Sequence, residues 1–148
     1  MSSSPAFATA AGRAVRTQRA LRELVGQVNA GFVRHSARQG CGPDEVAASL
    51  DVLRGPLQAH FDEEERAHLF ESIEERAPER SADCARLRRE HRSLLSRMDA
   101  LRGVLPEERR RRSWGGDVQR LLADLLAHED CEAELLLGAL EGGPPAGD

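Results

Sequence analysis

Apolar residues recur along this chain in alternating steps of three and four, the spacing of helices with one buried stripe. Four stretches carry the pattern. The first predicted helix runs from about Gly12 to Arg38, with Gln18, Leu21, Val25, Val28 and Phe32 on its inward stripe. "QGCGPDE" ends it with glycines, and Pro43 and Asp44 open the next. The second runs from about Asp44 to Glu75, with Val46, Leu50, Leu53, Leu57, His60, Glu64 and Ala67 inward. "RAPERSAD" interrupts the chain at Pro78, and Ser81 is the expected N-cap of the third helix, about Ala82 to Val104. Its stripe is Cys84, Leu87, His91, Leu94, Met98 and Leu101. After "GVLPEERRRRSWGGD" the fourth helix runs from about Asp117 to Leu140, with Val118, Leu121, Leu125, His128, Glu132, Leu135 and Ala139 inward.

No strand-like alternation and no internal repeat interrupts this reading. Four long amphipathic helices with short connections predict an all-α fold, an up-down-up-down antiparallel four-helix bundle over residues 12–140. Residues 1–11 read as a flexible N-terminal tail, and "EGGPPAGD" at 141–148 as a disordered C-terminal one.

The stripes are apolar except at Gln18, His60, Glu64, His91, His128 and Glu132. In antiparallel hairpins, residues equally far from a loop centre share a level. A loop centred near Arg109 sets His91 beside His128, and one centred near Glu79 sets Glu64 about a turn from His91. A loop centred near Cys41 sets His60 and Glu64 level with Arg22 and Gln18. At a rise of roughly 1.5 Å per residue, every offset is a turn or less. Three histidines and two glutamates therefore converge on one interior layer.

That convergence has a cost. An unpaired carboxylate in an apolar interior costs several kcal/mol or takes up a proton. A multivalent cation removes the cost, because imidazole nitrogens and carboxylate oxygens are its ligands. The i, i+4 spacing of His60 with Glu64 and of His128 with Glu132 turns both donors of each pair to one helical face. Such motifs inside four-helix bundles hold pairs of irons or manganeses. The competing reading is a metal-free polar layer that hydrogen-bonds to itself and fixes helix register.

Composition narrows the picture further. The chain has 148 residues, enough for one domain with a real core. Aromatics are 3% and the basic residues are all arginine, which we read as coding bias. A net charge of −4 gives no pull toward nucleic acid or acidic membranes. The run "EERRRRSW" at 107–114 reads as a solvated interhelical loop. Cys41, Cys84 and Cys131 are too few for a disulfide framework, no apolar run approaches a membrane span, and "MSSSPAFATAAGR" lacks the apolar centre of a secretory signal. A cytoplasmic location is the default expectation.

"LQAHFDEEE", "LRREHRSLLSRMDALRG" and "LLADLLAHEDCEAELLL" resemble the hemerythrin-like HHE cation-binding family. The resemblance covers most of the chain. It implies a four-helix bundle around a non-heme di-iron centre, with histidines capping the irons and carboxylates bridging them. Carried over by position, the metal ligands are His60, Glu64, His91, His128 and Glu132, with Glu64 and Glu132 as bridges. The departures are specific. The family's first-helix histidine is replaced by Gln18, assigned to the cofactor's surroundings, with Arg22 on its flank. His35 is about 13 residues from the level of the site, roughly 20 Å along the helix. A second third-helix histidine of oxygen carriers is Leu87 here, and their last-helix aspartate is Ala133.

The resemblance therefore implies binding or processing of O2, peroxide or nitric oxide, with peroxide handling or sensing ahead of oxygen transport. A weak peroxidase- or catalase-like activity is one form of it. The alternatives are a metal-free or mononuclear bundle serving as a helical interaction or scaffold module, and an iron-storage accessory. The expected partners are a small diatomic ligand or peroxide, and a second copy in a homodimer, with no nucleic acid and no membrane. His68 reads as a helix-edge histidine that reaches the site only if the helix bends. Glu63, Glu65 and Glu129 read as solvated acids, one of them available as a mobile extra ligand. Cys84 and Cys131 read as small core residues, or alternatively as redox-active thiols beside the metal.

Overall fold

The computed structural model describes residues 5–37, 43–103 and 106–141, with side chains from 5–31, 44–103 and 106–141. Five α-helices occur in them: α1 (Pro5–Ala37), α2 (Pro43–Arg66), α3 (Leu69–Arg76), α4 (Ser81–Gly103) and α5 (Arg111–Glu141). Among the described residues there is no strand, and no helix is long and apolar enough to cross a membrane. Phe32, His35, Cys41, Val104 and the tail beyond Glu141, all named above, lie outside what is described, wholly or in their side chains.

The four long helices pack in a ring: α1 on α2, α2 on α4, α4 on α5, and α5 back on α1. Surface ion pairs record the register. Arg54 grips Asp99 through Nε and Nη2 at 2.7 and 3.1 Å, and Arg102 pairs with Asp51, so α2 and α4 run antiparallel. Arg97 meets Asp124 at 2.8 Å between α4 and α5, and Arg22 pairs with Asp130 between α1 and α5.

Two apolar cores fill the ring. One contains Leu21, Leu50, Leu57, Met98, Leu121 and Leu125. The other contains Phe7, Leu69, Phe70, Ile73, Leu87 and Leu136. Fully burying each such side chain is worth about 1.5–3 kcal/mol.

Four expectations are corrected. First, α1 begins at Pro5, not Gly12, and residues 5–11 are not a tail: Phe7 and Ala11 are buried. Proline suits a first helical position, and the row Phe7, Ala11, Ala14, Gln18, Leu21, Val25 continues one stripe to the helix start. Second, the second predicted helix is two helices. The stripe that ends at Glu64 would next reach Ala67, His68 and Glu71, leaving Leu69, Phe70 and Ile73 facing water. The chain breaks at Ala67–His68, where His68 has φ 51° and ψ 41°, and this rotates Leu69, Phe70 and Ile73 into the second core. Ala67, expected inward, is exposed.

Third, Ser81 is no extended cap. It is helical (φ −58°, ψ −38°) and continues a 3-10 turn at Pro78–Arg80. Fourth, α5 begins at Arg111, so Arg111 and Arg112 are α-helical, after a 3-10 turn at Glu108–Arg110 that holds the other two arginines of the run. Trp114 is helical too and donates its Nε1–H to the Leu101 carbonyl at 3.2 Å, satisfying an acceptor at the end of α4.

Candidate metal centre

Between the two apolar cores lies a layer of polar side chains. Gln18 comes from α1, His60 and Glu64 from α2, His91 from α4, and His128, Glu129 and Glu132 from α5. All seven are buried, and they are the buried polar or charged residues among those described. The six polar positions singled out in the stripes are thus brought together. Glu129, read as a solvated acid, is here a seventh member, only 2% exposed.

Glu132 is the centre of the layer. Its Oε1 accepts a hydrogen bond from Gln18 Nε2 at 2.5 Å and lies 3.4 Å from His60 Nε2. Its Oε2 lies 3.2 Å from His128 Nε2 and 3.5 Å from His91 Nε2. Glu64 Oε1 approaches His60 Nε2 to 2.5 Å, and Glu64 Oε2 is 3.9 Å from His91 Nε2. Glu129 Oε2 is 3.4 Å from His60 Nε2.

Few of these approaches have hydrogen-bond geometry. His60 Nε2, His128 Nε2, both ring nitrogens of His91, Glu132 Oε2 and all four oxygens of Glu64 and Glu129 have no hydrogen-bond partner. A native interior rarely leaves even one such atom bare, because each costs on the order of 1–3 kcal/mol. A cation at their focus satisfies them together. Two triads have that geometry, His91–His128–Glu132 and His60–Glu129–Glu132, with ligand atoms within 4.8 Å of one another.

Buried ionisable groups crowd one another in this layer and shift one another's titration. Burial pulls His60 toward neutrality, yet the carboxylates of Glu129, Glu132 and Glu64 outweigh it and its pKa is pushed up to about 12. Burial likewise opposes protonation of His128, and Glu132 followed by Glu90 raises it. Burial and then the charge of Glu132 hold Glu64 well above the carboxylate range. Burial raises Glu129 as well, with His60 opposing. Glu132 behaves in the opposite way. Burial would raise it, but His128, His60 and His91 hold it well below its ordinary value.

Further groups fix the geometry. His128 Nδ1 lies 2.9 Å from Glu90 Oε2, so its Nδ1–H donates outward and Nε2 faces Glu132. Phe61 stacks on His91 at 3.8 Å between ring centroids with a 12° tilt, and Phe70 flanks the same imidazole at 5.5 Å. Two openings reach the layer. A cavity of about 420 Å³ between α1 and α2 has His60 and Glu64 in its wall beside Arg13, Ala14 and Thr17. Another of about 370 Å³ between α4 and α5 is walled by Glu90, Arg97, His128 and Cys131.

The chain matches the hemerythrin HHE cation binding domain over residues 14–140, nearly all of its length. It belongs to that family. Neither the comparison with curated proteins nor that with solved structures returned a match. For this HHE domain the buried histidines and glutamates form a candidate metal-binding site. Two positions where the resemblance implies further donors in oxygen carriers hold none here: Leu87 is fully buried in the second core, and Ala133 follows Glu132 with no donor to offer.

The remaining candidates separate clearly. His68 is exposed, because the helix break that could have brought it inward turns it to solvent. Glu63 pairs with Arg13 at 3.2 Å on the surface, and Glu65 is exposed. Cys84 is a buried core residue whose thiol burial pushes up to about 11, which keeps it protonated and inert. Cys131 is partly exposed in the α4–α5 opening.

Proposed function

We propose that this HHE domain is a non-heme iron protein that holds a di-iron centre in its polar layer and binds or processes O2, peroxide or nitric oxide. His60, Glu64, His91, His128 and Glu132 are its metal ligands. The observation that carries the reading is Glu132, whose two oxygens face different histidine sets, as a bridging carboxylate's do. The bare donor atoms around it support the same conclusion. Imidazole nitrogen with carboxylate oxygen is a donor set suited to iron. Iron held by these residues would supply redox exchange with a small oxidant.

The chain's own residues do the rest. Gln18 fixes the orientation of Glu132 by donating to Oε1. Glu90 fixes the tautomer of His128. Phe61 and Phe70 keep water from the His91 side. The α1–α2 cavity gives a small ligand a path to the layer. With Gln18, Leu87 and Ala133 at three ligand places, we assign peroxide handling or sensing ahead of oxygen carriage.

The reading extends to an up-down-up-down antiparallel bundle and a cytoplasmic location. The partner is a small diatomic ligand or peroxide, with a homodimer as the proposed assembly.

A second reading is a metal-free or mononuclear scaffold module, favoured by buried Leu87. Elemental analysis and an absorption spectrum of protein expressed in iron-supplemented medium separate the two. Di-iron predicts about two equivalents, whereas less than about half an equivalent rejects the metal reading.

A further inference from the structure

Glu129 is unexplained by the ligand set above. It is as deeply buried as the histidines, and neither carboxylate oxygen has a hydrogen-bond partner. Its position on α5 explains how it reaches the layer. Successive helical residues point roughly 100° apart. His128 lies toward His91 of α4, while Glu129 lies 3.4 Å from His60 of α2. Glu132, one turn on, stands between them with one oxygen toward each side.

We infer that Glu129 is a metal ligand, and that with His60 and Glu132 it forms a second, oxygen-rich cation position in place of the donor that the first helix lacks. This rests on the reading that the layer binds metal. It divides the layer into two inequivalent positions. His91 and His128 give one of them two imidazoles, and the other has one imidazole and two carboxylates. The second position therefore selects hard divalent ions such as Mn2+ and Fe2+ over softer ones. Charge supports the assignment. Two divalent ions bring four positive charges, and Glu64, Glu129 and Glu132 return three, against two if Glu129 were a bystander.

The test is calorimetric titration of metal-stripped, full-length protein with Mn2+. The proteins are wild type, Glu129→Leu, Glu129→Gln, and Glu63→Gln as a surface control. The expected result is two equivalents for wild type and the control. Glu129→Leu should keep one, with affinity for the other reduced by more than about tenfold, and Glu129→Gln should be intermediate. Metal-free Glu129→Leu should keep the helical circular dichroism of metal-free wild type, because the replacement is an apolar side chain of similar size and His60 keeps Glu64 and Glu132 beside it. That readout also shows that the variant is folded.

Two equivalents in Glu129→Leu, within about twofold of wild-type affinity, overturn the inference and leave the metal reading standing. One equivalent in wild type that Glu129→Leu retains and His128→Ala loses overturns it in favour of a mononuclear site. No uptake by wild type removes the metal reading itself, and the inference with it.

Discussion

Glu90 never faces the polar layer, yet its removal should be felt there. It is 39% exposed by its side chain and holds His128 Nδ1 at 2.9 Å, with only a distant Arg86 at 3.9 Å on its other oxygen. Substitution to alanine leaves His128 free to rotate or to carry its proton on the nitrogen that faces Glu132. Loss of such an outer partner lowers metal affinity by about 10–100-fold. That is about 1.4–2.8 kcal/mol of metal-linked stability. In a chain of 148 residues each kcal/mol moves the melting point by roughly 3 °C, so the metal-induced rise should shrink by about 4–8 °C. The assay is thermal melting by circular dichroism, in chelator and in a fixed excess of Fe2+ under anaerobic conditions. Glu90→Gln keeps an acceptor for Nδ1–H and should lose less than Glu90→Ala. Metal-free Glu90→Ala should lose far less, since the Glu90 end of the pair is 39% exposed and screened by solvent, and His128 keeps Glu132 beside its other nitrogen. The reasoning is refuted if Glu90→Ala retains the full metal-induced rise, or if the loss appears equally in chelator.

Two further outcomes are expected. The first concerns pH. Raised values for His60, His128, Glu64 and Glu129 mean that the metal-free fold binds more protons than the unfolded chain. Its stability should therefore fall as pH rises above the ordinary carboxylate value of 4.5 for the glutamates and 6.5 for the histidines. Glu132, held low, contributes the opposite dependence, lost only below 4.5. Metal loading displaces the His60 proton, so apparent affinity should rise about tenfold per pH unit for each proton released. Melting from about pH 5 to 8 should show opposite slopes in chelator and in metal, and parallel slopes would refute the argument. The second concerns His68→Gly, which removes a left-handed backbone cost of about 1 kcal/mol. It should raise the melting point by roughly 3 °C with metal content unchanged; a drop in metal content would return His68 to the site.

Much of the layer was legible in the sequence, for a physical reason. His60 and Glu64, His91, and His128 and Glu132 each replace an apolar residue at a three-or-four step, and the antiparallel level argument brought them to one height. Glu129 was placed among the solvated acids, with a mobile extra ligand as the alternative for one of them, because the stripe was drawn one residue wide. A buried helical face spans a wider arc, and Leu122, Glu129 and Leu136 form a second row seven residues apart beside the first. The break at His68 had a signal as well, since Leu69, Phe70 and Ile73 are half a turn out of phase with the preceding stripe. The start of α1 was hidden by small residues. "AFATAA" buries Phe7 and Ala11 with too little apolar bulk to separate a helix from a tail. Gln18 was placed correctly, but its bond to Glu132 depends on a side-chain direction that periodicity does not supply.

The polar layer also divides the protein mechanically. Leu21 to Leu125 on one side and Phe7 to Ala139 on the other are two separate dry interiors, and His91 sits between Phe61 of one and Phe70 of the other. Without a cation, what lies between them is a seam of buried ionisable groups and donor atoms that lack hydrogen-bond partners. Each half can then open on its own. With a cation gripping α2, α4 and α5 at that plane, the seam becomes a rivet and the halves must open together. Occupancy is thus written into the cooperativity of unfolding.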